Sequence, residues 1–295
     1  QTVTVTGVDD ALVDGSIAYT VVTAEAVSAD ANYSGMDAAD VSVTNTDDDT
    51  AGINIVPTSG LITGEDGSAD TFTVVLNSEP TADVTIDLTS SDTTEGTVSP
   101  AQVTFTNANW NSAQTVTVTG VDDALADGDI GYTITTAAVV SADTNYSGMD
   151  AVDVSVTNND NDMAGITVAP TSGLITTEAG TTADFTVVLN TQPTADVTID
   201  LTSSATSEGT VAPTQVTFTT ANWNSAKTVT VTGVDDAVVD GDIAYTITTA
   251  AAVSADANYS GMDAADVSVT NNDNDAVGVT VSPSGTLLTT EAGGT

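Results

Sequence analysis

Residues 122–129 read DDALADGD and place Asp122, Asp123, Asp127 and Asp129 within eight residues. No basic side chain stands near them: the chain has one, Lys227, against 42 Asp plus Glu, for a formal net charge of −41. Two unit charges about 4 Å apart repel by roughly 4 kcal/mol at an effective dielectric near 20. Something should offset that, and a hard divalent ion, which takes roughly six to eight oxygen ligands, suits the residue types. A carboxylate pair could instead hydrolyse glycosides, but its acid and base stand apart, whereas adjacent acids recur here in every copy of the turn. The chain has no His and no Cys, which removes imidazole base catalysis, thiol chemistry, disulfides and the usual zinc sites. The expectation is a protein that is not an enzyme.

Composition narrows the partners. A nucleic acid or an anionic membrane surface would require Lys and Arg that the chain lacks. No apolar stretch reaches the roughly 18 residues of a membrane-spanning helix, so direct membrane insertion is not expected. Gln1 opens directly on a strand pattern without a signal-peptide pattern, which reads as a mature product, a fragment or a portion of something longer.

An internal repeat organises the chain. TVTVTGVDD begins at Thr2, Thr115 and Thr228, a period of 113 residues, and NYSGMD keeps that register at Asn32, Asn145 and Asn258. Such a period is too long for a solenoid and fits an immunoglobulin-sized sandwich with its own core. Apolar residues alternate at Ile53 and Ile55; Phe72, Val74 and Leu76; Val84, Ile86 and Leu88; Val103 and Phe105; Val116 and Val118; Ile130, Tyr132 and Ile134; and Val152, Val154 and Val156. Period two is the mark of half-buried strands, which predicts an all-β chain of tandem seven-stranded sandwiches, arranged as beads on a string. The boundaries read as two complete domains, 51–162 and 163–275. Residues 1–50 supply the last three strands of another domain, and 276–295 the first strand of a further repeat.

Within a full repeat the acids gather at three places: Glu65 after the first strand, Asp122, Asp123, Asp127 and Asp129 before the sixth, and Asp160 and Asp162 at the end. The next repeat has Glu178, Asp235, Asp236, Asp240, Asp242, Asp273 and Asp275, and the ends add Asp9, Asp10, Asp14, Asp47, Asp48, Asp49 and Glu291. The other reading of these acids is solvated turn residues that aid solubility. The order TTEAGTTADFTVVL, TVTVTGVDDAVVDGDIAYTI and NNDND resembles the Calx-beta domain of sodium-calcium exchangers and large bacterial surface proteins. That resemblance implies a seven-stranded sandwich with Ca2+ bound at one end by the acids just named. The family adds an acid from mid-domain; Asp92 could fill that place, with Ala205 at the next repeat's position and Glu208 a poorer substitute.

Three further motifs stand out. DANYSG at residues 30–35 mimics the opening of an EF-hand loop, but its twelfth position is Val41 rather than Glu. Asn32, Asn145 and Asn258 lie in N-Y-S sequons, where a glycan is chemically possible in a secreted chain. Trp110 and Trp223 read as core plugs or turn anchors, with a sugar platform as the alternative. The combined expectation is a calcium-binding structural repeat of an extracellular surface protein, a stalk or fibre, whose partners are neighbouring repeats or copies of the chain. The rival is a carbohydrate- or surface-binding adhesion module.

Overall fold

A computed structural model describes every residue except Pro283, Thr290, Gly294 and Thr295. The chain is all-β. Contacts group it into two compact units, Gln1–Asp123 with Asp127–Asn161, and Ala124–Ala126 with the chain from Asp162 onward.

The first unit opens with β1 (Ile17–Val21) and β2 (Val41–Asn45), an antiparallel two-stranded ribbon. A sandwich follows, built from β3 (Ile53–Val56), β4 (Leu61–Gly64), β5 (Ala69–Leu76), β6 (Val84–Ser90) and β7 (Gly96–Ser99). It continues with β8 (Gln102–Phe105), β9 (Gln114–Gly120), β10 (Ile130–Thr136), β11 (Val140–Ser141) and β12 (Val154–Asn159). One sheet has the order β3-β5-β9-β7 and the other β11-β6-β10-β12-β4, with β8 also on β6. Alternation sends Phe72, Val74 and Val116 from one sheet, and Ile86, Leu88 and Ile134 from the other, into a dry core.

The second unit repeats this with β13 (Ile166–Ala169), β14 (Leu174–Thr177), β15 (Thr182–Leu189), β16 (Val197–Ser203) and β17 (Gly209–Ala212). Then come β18 (Gln215–Phe218), β19 (Lys227–Gly233), β20 (Ile243–Thr249), β21 (Val253–Ser254) and β22 (Val267–Asn272), around a core centred on Phe185, Ile199 and Ile247.

Each sandwich therefore has ten strands where apolar alternation predicts seven. The opening strand is divided at Pro57, and at Pro170 in the second copy: β3 pairs with β5 in one sheet, whereas β4 runs parallel to β12 in the other. Proline offers no N–H to a ladder, so a strand that must change sheets can do so there. The additional β7 and β11 are short and lie in segments rich in turn residues. Residues 2–7 form no strand, although the same TVTVTG sequence forms β9 further on. β9 is held between β5 and β7, and residues 1–50 contain no counterpart of either. Likewise the predicted opening strand at 277–288 is not formed among the described residues, and its Pro283 lies outside them.

The glycine ending β19 is set by close approach. A Cβ on Gly233 would lie 2.2 Å from the Thr177 carbonyl and 2.6 Å from Asn271 Oδ1, whereas one on Gly131 would meet nothing within 4 Å. Gly233→Ala should lower stability by about 1–3 kcal/mol in urea unfolding. Gly131→Ala, which restores the residue found at Ala18 and Ala244, should leave it unchanged or slightly raised.

Candidate metal centre

Parallel pairing of β14 with β22 places Thr177 opposite Asn272, so the residues that follow, Glu178 and Asp273, leave the sheet at the same end. With Asp275 they form a group whose carboxylate oxygens lie within 4.8 Å of one another. Oxygens that share an ion at about 2.4 Å stand at most about 5 Å apart, so the spacing suits one cation. Backbone amides hold the group in place. Asn274 N donates to Glu178 Oε2 (2.9 Å), Gly241 N to Asp273 Oδ2 (2.8 Å) and Asp275 N to Asp273 Oδ1 (2.7 Å). Asp275 Oδ2 is buried with no hydrogen-bond partner.

A second group joins Glu208, Asp236 and Asp240. Glu208 precedes β17, whose Gly209 pairs with Gly233 at the end of β19, and Val234 N donates to the Glu208 carbonyl (2.9 Å). The acidic turn after β19 thus starts beside Glu208. The first unit repeats these backbone contacts and the second group. Asn161 N donates to Glu65 Oε2 (3.0 Å), Gly128 N donates to Asp160 Oδ2 (2.7 Å), and Glu95, Asp123 and Asp127 form the second group. Asp162, where the second unit begins, occupies the repeat position of Asp275. Near the start of the chain Asp9 groups with Asp48 and Asp49.

The remaining expected residues have other roles. Asp129 and Asp242 accept from the backbone N–H of Asp160 and Asp273 (3.2 Å each), and Asp47 accepts from Gly15 N (2.7 Å) and Asp49 N (2.9 Å). Asp10 accepts from Leu12 N (3.0 Å). Asp14, Asp122, Asp235 and Glu291 are exposed and join no group among the described residues. Among the described residues Glu95, and Glu208 in the second copy, group with the turn acids, whereas Asp92 joins no group. Asp92 spends its carboxylate on the Thr94 amide (3.0 Å) and hydroxyl, which hold it below the ordinary carboxylate range.

Four glutamates, Glu65, Glu95, Glu178 and Glu208, are buried within these acidic groups. Burial, then the charges of Asp127, Asp92 and Asp123, pushes Glu95 above its usual range against the hydrogen bond from Asn158. Burial and the neighbouring Asp123 and Asp160 do the same to Asp127, and burial with Asp273 and other turn acids to Asp275. No protein cation relieves them, since Lys227 Nζ lies 5.3 Å from the Phe218 ring centroid. An all-oxygen, multiply anionic donor set fits a hard ion such as Ca2+ better than a softer metal.

The other motifs resolve into structure. Asp143 Oδ2 accepts from Thr81 N (2.8 Å) and Oδ1 from Asn145 N (2.8 Å), so the EF-hand-like loop uses its leading Asp internally. Asp256 repeats this with Thr194 and Asn258. Trp110 and Trp223 pack against the cores, and their carbonyls accept from Leu76 N and Leu189 N.

Comparison with known proteins finds no matching family and no matching curated protein. Among solved structures the chain is similar to the calcium binding domain CBD12 of CALX1.1 at 16% identity and a TM-score of 0.33, over 68% of this chain and 80% of that one. It is also similar to the apo-form Calx CBD1 domain (13%, TM-score 0.31, over 39% and 100%). The S-layer protein SbsC domains 4 and 5 match at 15% and 0.27, over 64% and 75%. No described helix is long and apolar enough to cross a membrane.

Burial raises the pKa of Asp143 and Asp256, but the amides they accept from outweigh it and hold both carboxyls below the ordinary range. A depressed folded pKa gives stability that is complete above the unfolded value near 4 and is lost as pH falls through the folded one. In urea unfolding between about pH 4 and pH 2, the Asp143→Asn, Asp256→Asn double variant should therefore lose stability less steeply than the parent. At pH 7 it should be less stable by about 2–3 kcal/mol.

Proposed function

We propose that the chain is a calcium-binding structural segment of an extracellular surface protein, an adhesin stalk or surface fibre, rather than an enzyme. The observation that carries this reading is the burial of Glu95, Glu178 and Glu208 in groups with other acids, in a chain with a single basic side chain. Burying a carboxylate beside other carboxylates is costly even when amides donate to it, and a bound cation offsets both the desolvation and the mutual repulsion. Glu178, Asp273 and Asp275 would hold one ion, and Glu208, Asp236 and Asp240 another, with Glu95, Asp123 and Asp127 as the counterpart of the latter in the preceding repeat. Ions there would tie the end of β14, the acidic turn and the end of β22 together, and would stabilise the fold by about 2.7 kcal/mol per site at a free concentration 100 times the dissociation constant. Extracellular calcium is plentiful, so modest affinity suffices.

Neighbouring repeats or copies of the same chain are the partners this reading favours. Ile17 and Tyr19 of β1 are exposed, where the corresponding Tyr132 is buried, and Val279, Val281, Leu287 and Leu288 are exposed as well. In the full repeats Leu61 and Leu174 stand opposite Val156 and Val269. Leu287 would take the same place beside Val43 of another copy, an end-to-end strand complementation. Sedimentation at high concentration with calcium should then show concentration-dependent association; a strictly monomeric chain removes this part of the proposal.

Calorimetric titration of calcium into the EDTA-stripped chain, with thermal unfolding alongside, tests the core reading. Several saturable sites and a calcium-dependent rise in Tm are expected, with Glu178→Gln weakening one class of site at least about tenfold. Absence of saturable heat together with an unchanged Tm would return the acids to solvated turn residues.

A further inference from the structure

The acidic turn occurs three times with a small apolar middle, ALV, ALA and AVV, whose burial differs from copy to copy. Residues 11–13 are half-buried although the chain around them is exposed, and Ala124–Ala126 are half-buried too. The third copy, residues 237–239, is exposed at all three positions, with Val238 at 57% and Val239 at 49%. The difference lies in what the tip touches. In the first unit the Ala11 carbonyl accepts from Glu79 N (2.7 Å), Leu12 bridges to Glu79, and Asn145 Nδ2 donates to the Val13 carbonyl (3.0 Å). In the second unit the Ala124 carbonyl accepts from Gln192 N (2.7 Å) and Asn258 Nδ2 donates to the Ala126 carbonyl (2.7 Å). The same backbone atoms meet the same receptor atoms both times.

The receptor is stiff. The buried Tyr146 hydroxyl donates to the Ser78 carbonyl (2.8 Å) and accepts from Ser78 N (3.2 Å), while Asp143 binds the Thr81 and Asn145 amides. The loop carrying Glu79 and the N-Y-S loop are thereby fastened to each other by bonds that do not involve the tip. Tyr259, with Thr191, and Asp256 fasten the second copy in the same way. The tip is pinned from its own side, by Asp10 accepting from Leu12 N and Asp47 from Gly15 N, with Asp9 in the neighbouring acidic group.

We infer that these paired loops are a socket for the acidic turn of the preceding repeat, that Asn145 and Asn258 are its docking residues, and that cation binding in the turn strengthens the docking. The last clause rests on the calcium reading above; the socket does not. An amide nitrogen that donates to the docked carbonyl is not free to carry a glycan, so the sequons at Asn145 and Asn258 serve protein contact. Asn32 Nδ2 donates instead to Asp30 Oδ1 of its own loop (3.0 Å).

Amide-resolved hydrogen–deuterium exchange on the full chain tests this. With calcium, the Glu79 and Gln192 amides should be protected, and Asn258→Ala should speed exchange at Gln192 at least about tenfold while leaving Glu79 and the core amide of Val229 unchanged. An unprotected Gln192 amide in the parent, or no response to Asn258→Ala, overturns the socket. Chelation should speed both Glu79 and Gln192 by a similar factor. Unchanged protection while calorimetry shows bound calcium overturns the coupling alone. If calorimetry shows no calcium bound, the functional reading fails and the Asn258→Ala result still decides the socket.

Discussion

The parallel ladder between the second half of the opening strand and the last strand is the constraint from which the rest follows. Everything else in each sandwich is antiparallel, and this one pairing makes two strands from opposite ends of the repeat stop side by side. Glu178 and Asp273 are about a hundred residues apart in sequence and become neighbours only through that register. The chain divides its first strand between two sheets to achieve it.

A buried polar network carries the arrangement from one acidic group to the other. Asn271 accepts from Thr176 Oγ1 (3.0 Å) and donates to the Val234 carbonyl (3.1 Å) at the start of the acidic turn; Asn158 does the same with Thr63 and Val121 and also reaches Glu95. Because a half-satisfied buried amide is costly, this Asn fixes the turn relative to the end of β14. The glycine at the end of β19 leaves room for the contact. Both acidic groups are thus consequences of one register and one side chain.

The sequence carried much of this in readable form. Period-two alternation located the long strands, and the 113-residue repeat located the two cores, because both depend on local pattern alone. The sheet change at Pro57 was not legible: PTSG marks a turn between Ile53–Val56 and Leu61–Gly64, but only tertiary pairing decides that the two pieces join different sheets. The grouping of Glu95 with the turn acids does have a signal in the sequence: Glu occupies positions 95 and 208 in both full repeats, whereas Asp92 is replaced by Ala205. Residues 2–7 show the reverse failure. Their sequence is that of a central strand, but a strand is defined by its neighbours, and TVTVTG without them forms no ladder.

The lone basic residue has a consequence for durability. Lys227 opens β19, where it pairs with Val187 and lies half-buried over Phe218. Proteases that cut after lysine or arginine therefore find a single candidate bond in 295 residues, and it lies within a central ladder that must open before any enzyme can grip it. A chain so poor in basic side chains is inert to that whole class of digestion as long as the second sandwich stays folded.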